Sequence, residues 1–122
     1  LQPCKNIMQN MMILQFPRAA EALELATGIK LTEQEIMDVG SRITTVERMF
    51  GIREGIGRKD DTVPKRFTDT PLTEGGSSDT VMDIELMLDE YYTERGWSLE
   101  TGHPTPAALR RLGLDHLAGD LA

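Results

Sequence analysis

Thr32 stands three residues before Glu35, and behind this pair Ile36, Val39, Ile43, Val46 and Phe50 recur at the spacing of one helix face. A Thr/Glu pair at that interval forms a capping box, in which each side chain takes up a backbone N–H that a helix start leaves free. Apolar residues three and four apart stay on one side of a 3.6-residue turn. The spacing predicts a long helix from Thr32 to the Gly51–Gly55 region. Gly40 falls on the same stripe. A glycine inside a helix costs about 1 kcal/mol relative to alanine, so close approach of another backbone is expected there.

Upstream, Ile7, Met8, Met11 and Leu14 predict a short helix from Lys5 to about Leu14, ended by Phe16-Pro17 because proline lacks a donor. Arg18 to Ala26 reads as a second helix with Ala22, Leu23 and Leu25 available to pack, and Gly28 as its left-handed cap. From Ile52 to about Ser78 the helical pattern fails. Gly55, Gly57, Pro64, Pro71, Gly75 and Gly76 punctuate that stretch, with one helical turn expected around Pro64-Lys65-Arg66-Phe67. Asp79 or Thr80 is expected to cap a fourth helix, with Ile84, Met87, Leu88 and Tyr91 on its apolar face and Gly96 closing it. Thr105-Pro106 then opens a terminal helix anchored by Leu109, Leu112 and Leu117 and broken near Gly113. Alternating strand patterns and internal repeats are lacking. The fold class expected is all-α: an irregular bundle of about five helices with a long irregular loop between the third and fourth, residues 1–122 forming a single helical domain.

Charge narrows the function classes. The 13 Lys and Arg against 20 Asp and Glu leave a formal charge of -7, which repels phosphate backbones, so no nucleic-acid partner is expected. The longest apolar run, Met11-Met12-Ile13-Leu14, is far short of the ~20 residues that span a bilayer, so no membrane partner is expected either. The single cysteine, Cys4, rules out an intrachain disulfide and fits a cytoplasmic location.

Most catalytic patterns are missing. His103 and His116 are too far apart for a helical metal pair, and zinc-type spacings do not occur. Gly55-Ile56-Gly57 follows a helix rather than a strand, against the context of a dinucleotide fingerprint. Glu33, Glu35, Asp38, Glu85, Asp89 and Glu90 read as solvated helix faces, and none is assigned as an acid or base. Two clusters stand out. Arg53, Arg58, Lys59, Lys65 and Arg66 alternate with Glu54, Asp60 and Asp61, which favours a loop held by internal Arg–carboxylate pairs over an anion site. Tyr91-Tyr92, Arg95-Gly96 and Trp97 read as the edge of the core.

Taken in order, Arg42-Ile43, Val46-Glu47-Arg48-Met49-Phe50, Arg53-Glu54-Gly55, Arg58-Lys59-Asp60-Asp61 and Val63-Pro64-Lys65-Arg66 resemble the end of the tungsten-containing aldehyde:ferredoxin oxidoreductase family. Leu88-Asp89-Glu90-Tyr91-Tyr92, Arg95-Gly96-Trp97 and Leu112-Gly113-Leu114 continue the resemblance, which runs from the Thr32 helix to residue 114. It implies the C-terminal helical domain of an enzyme that holds tungsten, or molybdenum in some relatives, between two pterins beside a [4Fe–4S] cluster. Such enzymes oxidise aldehydes to carboxylic acids and pass electrons to ferredoxin, and the pterin-binding domains would lie upstream. The resemblance makes Cys4 a candidate [4Fe–4S] ligand, although Gln2 stands where the family has glycine and Pro3 precedes the cysteine. A buried structural cysteine is the competing reading. No catalytic or cofactor-binding residue is carried over. The isolated chain is expected to be colourless and inactive, and to self-associate through apolar surface that its neighbours would cover. The alternative from another class is a freestanding, metal-free helical binding module derived from such a domain.

Overall fold

The computed structural model describes residues 16–71, 73–74 and 79–121, with side chains from Arg18 onward. The expected Lys5–Leu14 helix lies outside the described residues, as does Cys4. Among the described residues the chain forms α1 (Phe16–Thr27), α2 (Glu33–Arg53), α3 (Ile84–Arg95) and α4 (Pro106–Arg111), joined by 3-10 segments at Arg58–Asp60, Lys65–Phe67 and Asp115–Leu121. The fold is all-α, as expected. An isolated antiparallel bridge between Trp97 and Pro104 is the strand-like pairing within it. The chain divides into two compact units, Leu1–Thr44 and Thr45–Ala122, with α2 running through the division.

In the first unit the local signals act as the sequence implies. Pro17 sits in the opening turn of α1, where a missing N–H costs little. Gly28 takes a left-handed φ of +74° and its N–H closes on the Glu24 carbonyl. The capping box forms: Thr32 N–H donates to Glu35 Oε2 at 2.7 Å and Glu35 N–H to Thr32 Oγ1 at 3.2 Å. The Thr32 backbone, then its hydroxyl, hold the Glu35 carboxyl below its ordinary value. Packing departs from expectation. Ala22 and Leu25 are exposed and only Leu23 is half-buried. A Cβ placed on Gly40 would meet nothing within 4 Å, so no described backbone makes the close approach expected there.

In the second unit α2 buries Thr45 and Met49, a face offset from the apolar stripe. Val46 and Phe50 on that stripe are exposed, Phe50 by 66%. Met49 joins Leu109, Leu112 and Leu114 in the core, with Ile52, Leu117 and Leu121 packed around them. Thr105 caps α4 by accepting from Ala108 N–H, Pro106 occupies its first turn, and Gly113 at φ +68° ends that stretch. The turn expected at Pro64–Phe67 is the 3-10 segment Lys65–Phe67, while the one at Arg58–Asp60 was not anticipated.

The start of α3 also needs correction. Its N-cap is Asp83, whose carboxylate accepts from Leu86 N–H at 3.1 Å, rather than Asp79 or Thr80. Met82 N–H instead bonds the Phe67 carbonyl at 2.8 Å, which keeps that strand of chain out of the helix. Within α3 the buried residue is Tyr92, at 1% exposure, while Met87 and Tyr91 on the expected apolar face are exposed. Gly96 closes the helix in the left-handed region, as expected.

Candidate functional site

A polar cluster of the second unit is built around Asp61. Arg48, projecting from α2, reaches it with both terminal nitrogens, at 2.8 and 2.7 Å. The same guanidinium donates through Nε to the Gly102 carbonyl at 3.0 Å. Tyr92 of α3 donates its hydroxyl to Asp61 Oδ2. A forked guanidinium matches a carboxylate geometrically, and charge-assisted bonds of this kind are about twice as strong as neutral ones. Four segments distant in sequence are therefore joined through one Arg48–Asp61 pair, Tyr92 bonding the carboxylate and Gly102 the guanidinium. Tyr92 stacks on Trp97 with ring centres 6.0 Å apart, and Arg48 lies 5.6 Å from the Trp97 ring centre.

A second guanidinium sits on the other flank. Arg58 donates to Glu85 at 2.6 Å, Asp89 at 2.7 Å and the Leu99 carbonyl at 2.8 Å, and lies 5.3 Å from the Tyr92 ring centre. Its bonds with Glu85, then Asp89, raise its pKa further. Arg–carboxylate pairing is observed at the basic loop, but not internally as expected: Asp61 pairs with Arg48 of α2, Arg58 with Glu85 and Asp89 of α3, and none of these pairs joins two loop residues. Arg53 pairs loosely with Asp120 at 3.9 Å, and Arg66 covers the Phe67 ring at 4.7 Å. The Tyr–Trp cluster is a core edge, as expected, with Tyr92 and Trp97 buried and Tyr91 exposed. Trp97 Nε1 is buried without a hydrogen-bond partner among the described residues.

Electrostatics fit a clamp rather than an acid–base site. Burial alone would push Asp61 up. Hydrogen bonds from Arg48 and Tyr92, with the charges of Arg48 and Arg58, outweigh it and hold the carboxyl below its ordinary value. Burial, then the bond to Asp61 and its charge, push the Tyr92 phenol up to about 12. Asp61 is ionised and saturated with donors, and Tyr92 keeps its proton, so neither is poised to exchange protons at neutral pH.

The pH dependence follows with a defined sign. Asp61 is depressed, so its contribution is complete above the ordinary carboxylate value near 4 and lost as pH falls through the folded value. Tyr92 is raised, so its contribution is complete below the ordinary phenol value near 10 and lost as pH rises through about 12. A phenolate absorbance titration should contain a step near 12 that Tyr92→Phe removes. Retention of that step in the variant would contradict the assignment.

Among the described residues no three His, Cys, Asp or Glu side chains are grouped to hold a metal ion. Arg48, Asp61 and Gly102 were not singled out as a unit by the sequence. Arg48 and Asp61 do lie in the stretches that carry the family resemblance, as do Arg58, Asp89, Tyr92 and Trp97. Those stretches meet in space at this clamp.

Residues 1–114 match the family model described as aldehyde ferredoxin oxidoreductase, domains 2 & 3. The chain belongs to this family. It is 35% identical over 96 residues to the tungsten-containing aldehyde ferredoxin oxidoreductase of Pyrococcus horikoshii, and 35% identical over 95 residues to that of Pyrococcus furiosus. These matches cover 78% and 77% of the chain. They cover only 16% of either relative, so the chain corresponds to a C-terminal part of the family's full-length proteins. Among solved structures, the active-site complex BamBC of benzoyl coenzyme A reductase, in complex with 1,5-dienoyl-CoA, superposes with a TM-score of 0.69 at 23% identity. That alignment takes in 88% of this chain and 15% of the other, and it concerns fold. No helix among the described residues is long and apolar enough to cross a membrane.

Proposed function

We propose that residues 1–122 are the C-terminal helical piece of an oxidoreductase that converts aldehydes to carboxylic acids and passes the electrons to ferredoxin. The observation that carries this reading is the family match over residues 1–114, joined to relatives named as tungsten-containing aldehyde ferredoxin oxidoreductases that extend far beyond the matched part. In this reading the chemistry belongs to a tungsten or molybdenum bis-pterin and a [4Fe–4S] cluster held mainly by upstream domains, in the cytoplasm. The chain supplies a rigid helical wall, its second unit tied by the Asp61 clamp. The exposed apolar residues Val46 and Phe50 of α2, with Leu86 and Met87 of α3, suit burial against those upstream domains.

The donor inventory fits that division of labour. A [4Fe–4S] cluster takes four thiolates, and this chain has one cysteine, Cys4. Cys4 can contribute one ligand and no more, so the isolated chain is proposed to be inactive. In the full-length protein, Cys4→Ser should alter or abolish the electron paramagnetic resonance signal of the reduced cluster while folding is kept. An unchanged signal would remove Cys4 from the ligand set and leave it a structural residue.

A further inference from the structure

Away from the clamp, the turn after α2 and the turn at 100–103 border an open surface pocket of about 340 Å³. That is the lower end of the range for small-molecule sites, ~300–1,000 Å³. Ile52 and Ile56 form its apolar wall, and Lys59, Glu100 and His103 bring the ionisable groups. Arg58 also lines it, but its guanidinium is committed to Glu85, Asp89 and the Leu99 carbonyl. Lys59, Glu100 and His103 have no hydrogen-bonding or ion-pairing side-chain partner among the described residues. The half-buried His103 ring faces Gly57, where a Cβ would stand 3.9 Å from Nε2 and 3.4 Å from the Thr101 carbonyl oxygen. Glycine at 57 therefore keeps this side of the pocket open.

We propose that this pocket binds a small monocarboxylate, its carboxylate between the Lys59 ammonium and the His103 imidazole and its alkyl or aryl part against Ile52 and Ile56. Two nitrogen groups beside an apolar wall suit an amphiphilic anion better than a fully hydrated one, because the wall gains only from apolar surface. Glu100 opposes the ligand. Its repulsion offsets the attraction of Lys59 for a monoanion and a dianion alike, since both scale with charge, so the preference over inorganic phosphate rests on the apolar wall of Ile52 and Ile56. The pocket belongs to residues 52–103 alone, and failure of the family reading would leave it intact.

The test is a titration of the full chain with sodium butyrate, following the His103 ring signals by NMR at fixed ionic strength, with His116 as internal reference. Saturable shifts at His103 and at the Gly57 and Lys59 amides are expected, with His116 still. Lys59→Gln should weaken binding about fivefold, the scale of one exposed ion pair, and Glu100→Gln should tighten it. Gly57→Ala retains every charge, and its extended φ of -144° suits alanine. It should weaken butyrate binding at the His103 side of the pocket while the rest of the spectrum stays folded. Linear shifts shared with His116, the same affinity for inorganic phosphate, or unchanged binding in Gly57→Ala would each overturn the proposal.

Discussion

Replacing Gly102 with alanine should cost the second unit about 2–5 kcal/mol, the sum of a left-handed backbone penalty and an overpacking term. Gly102 has φ +70°, a region that L side chains enter at a cost of about 1–2 kcal/mol. An added Cβ would also collide with the Arg48 guanidinium and stand 2.9 Å from the Tyr92 hydroxyl oxygen. Neither neighbour can yield freely, because Asp61 holds both. Gly113→Ala is the matching control: φ is +68°, but nothing lies within 4 Å of the new Cβ. It should lose only the backbone part. Denaturant unfolding of the two variants separates the contributions, and equal losses would mean that the close approach at Gly102 carries no energy.

Arg48→Met should destabilise the same unit by about 3 kcal/mol, at the low end for breaking a buried ion pair. The guanidinium is only 10% exposed and Asp61 24%, so its loss strands a carboxylate that water reaches poorly. It also removes the donor to the Gly102 carbonyl and the cation over Trp97. Methionine keeps much of the volume, so the loss reports mainly on charge and hydrogen bonding. At ~4–8 °C per kcal/mol for a unit of this size, the melting temperature should fall by about 12–24 °C. Asp61→Asn added to Arg48→Met should recover part of that loss, because the stranded charge is gone. A double variant no more stable than Arg48→Met alone would show that the pair is not the source of the effect.

These two residues mark where sequence reading stops. Thr32 with Glu35, Gly28, Gly96 and Thr105-Pro106 were legible because each cap is decided within four residues by backbone donors and acceptors. Arg48 to Gly102 is a contact across 54 positions, and no spacing rule encodes it. The start of α3 was misplaced for a related reason. Asp79 and Thr80 are acceptable caps locally, but the Met82 to Phe67 hydrogen bond holds the chain extended until Asp83. The stripe from Ile36 to Phe50 gave the helix but not its buried side, which carries Thr45 and Met49, the latter packed in the Leu109 cluster. The basic loop was legible as an ion-pair loop, and its partners on α2 and α3 were not.

The chain belongs to the aldehyde ferredoxin oxidoreductase family, and the proposal that the redox centres of the full-length protein lie mostly beyond this chain is open to direct chemical measurement. Full-length protein carrying residues 1–122 at its C-terminal end should be purified anaerobically and analysed for tungsten, molybdenum, iron and pterin. The expected result is one tungsten or molybdenum, two pterins and about four irons per chain, the complement of a bis-pterin metal and one [4Fe–4S] cluster. A folded full-length protein without tungsten, molybdenum or pterin would contradict the account and leave these helices serving some other chemistry.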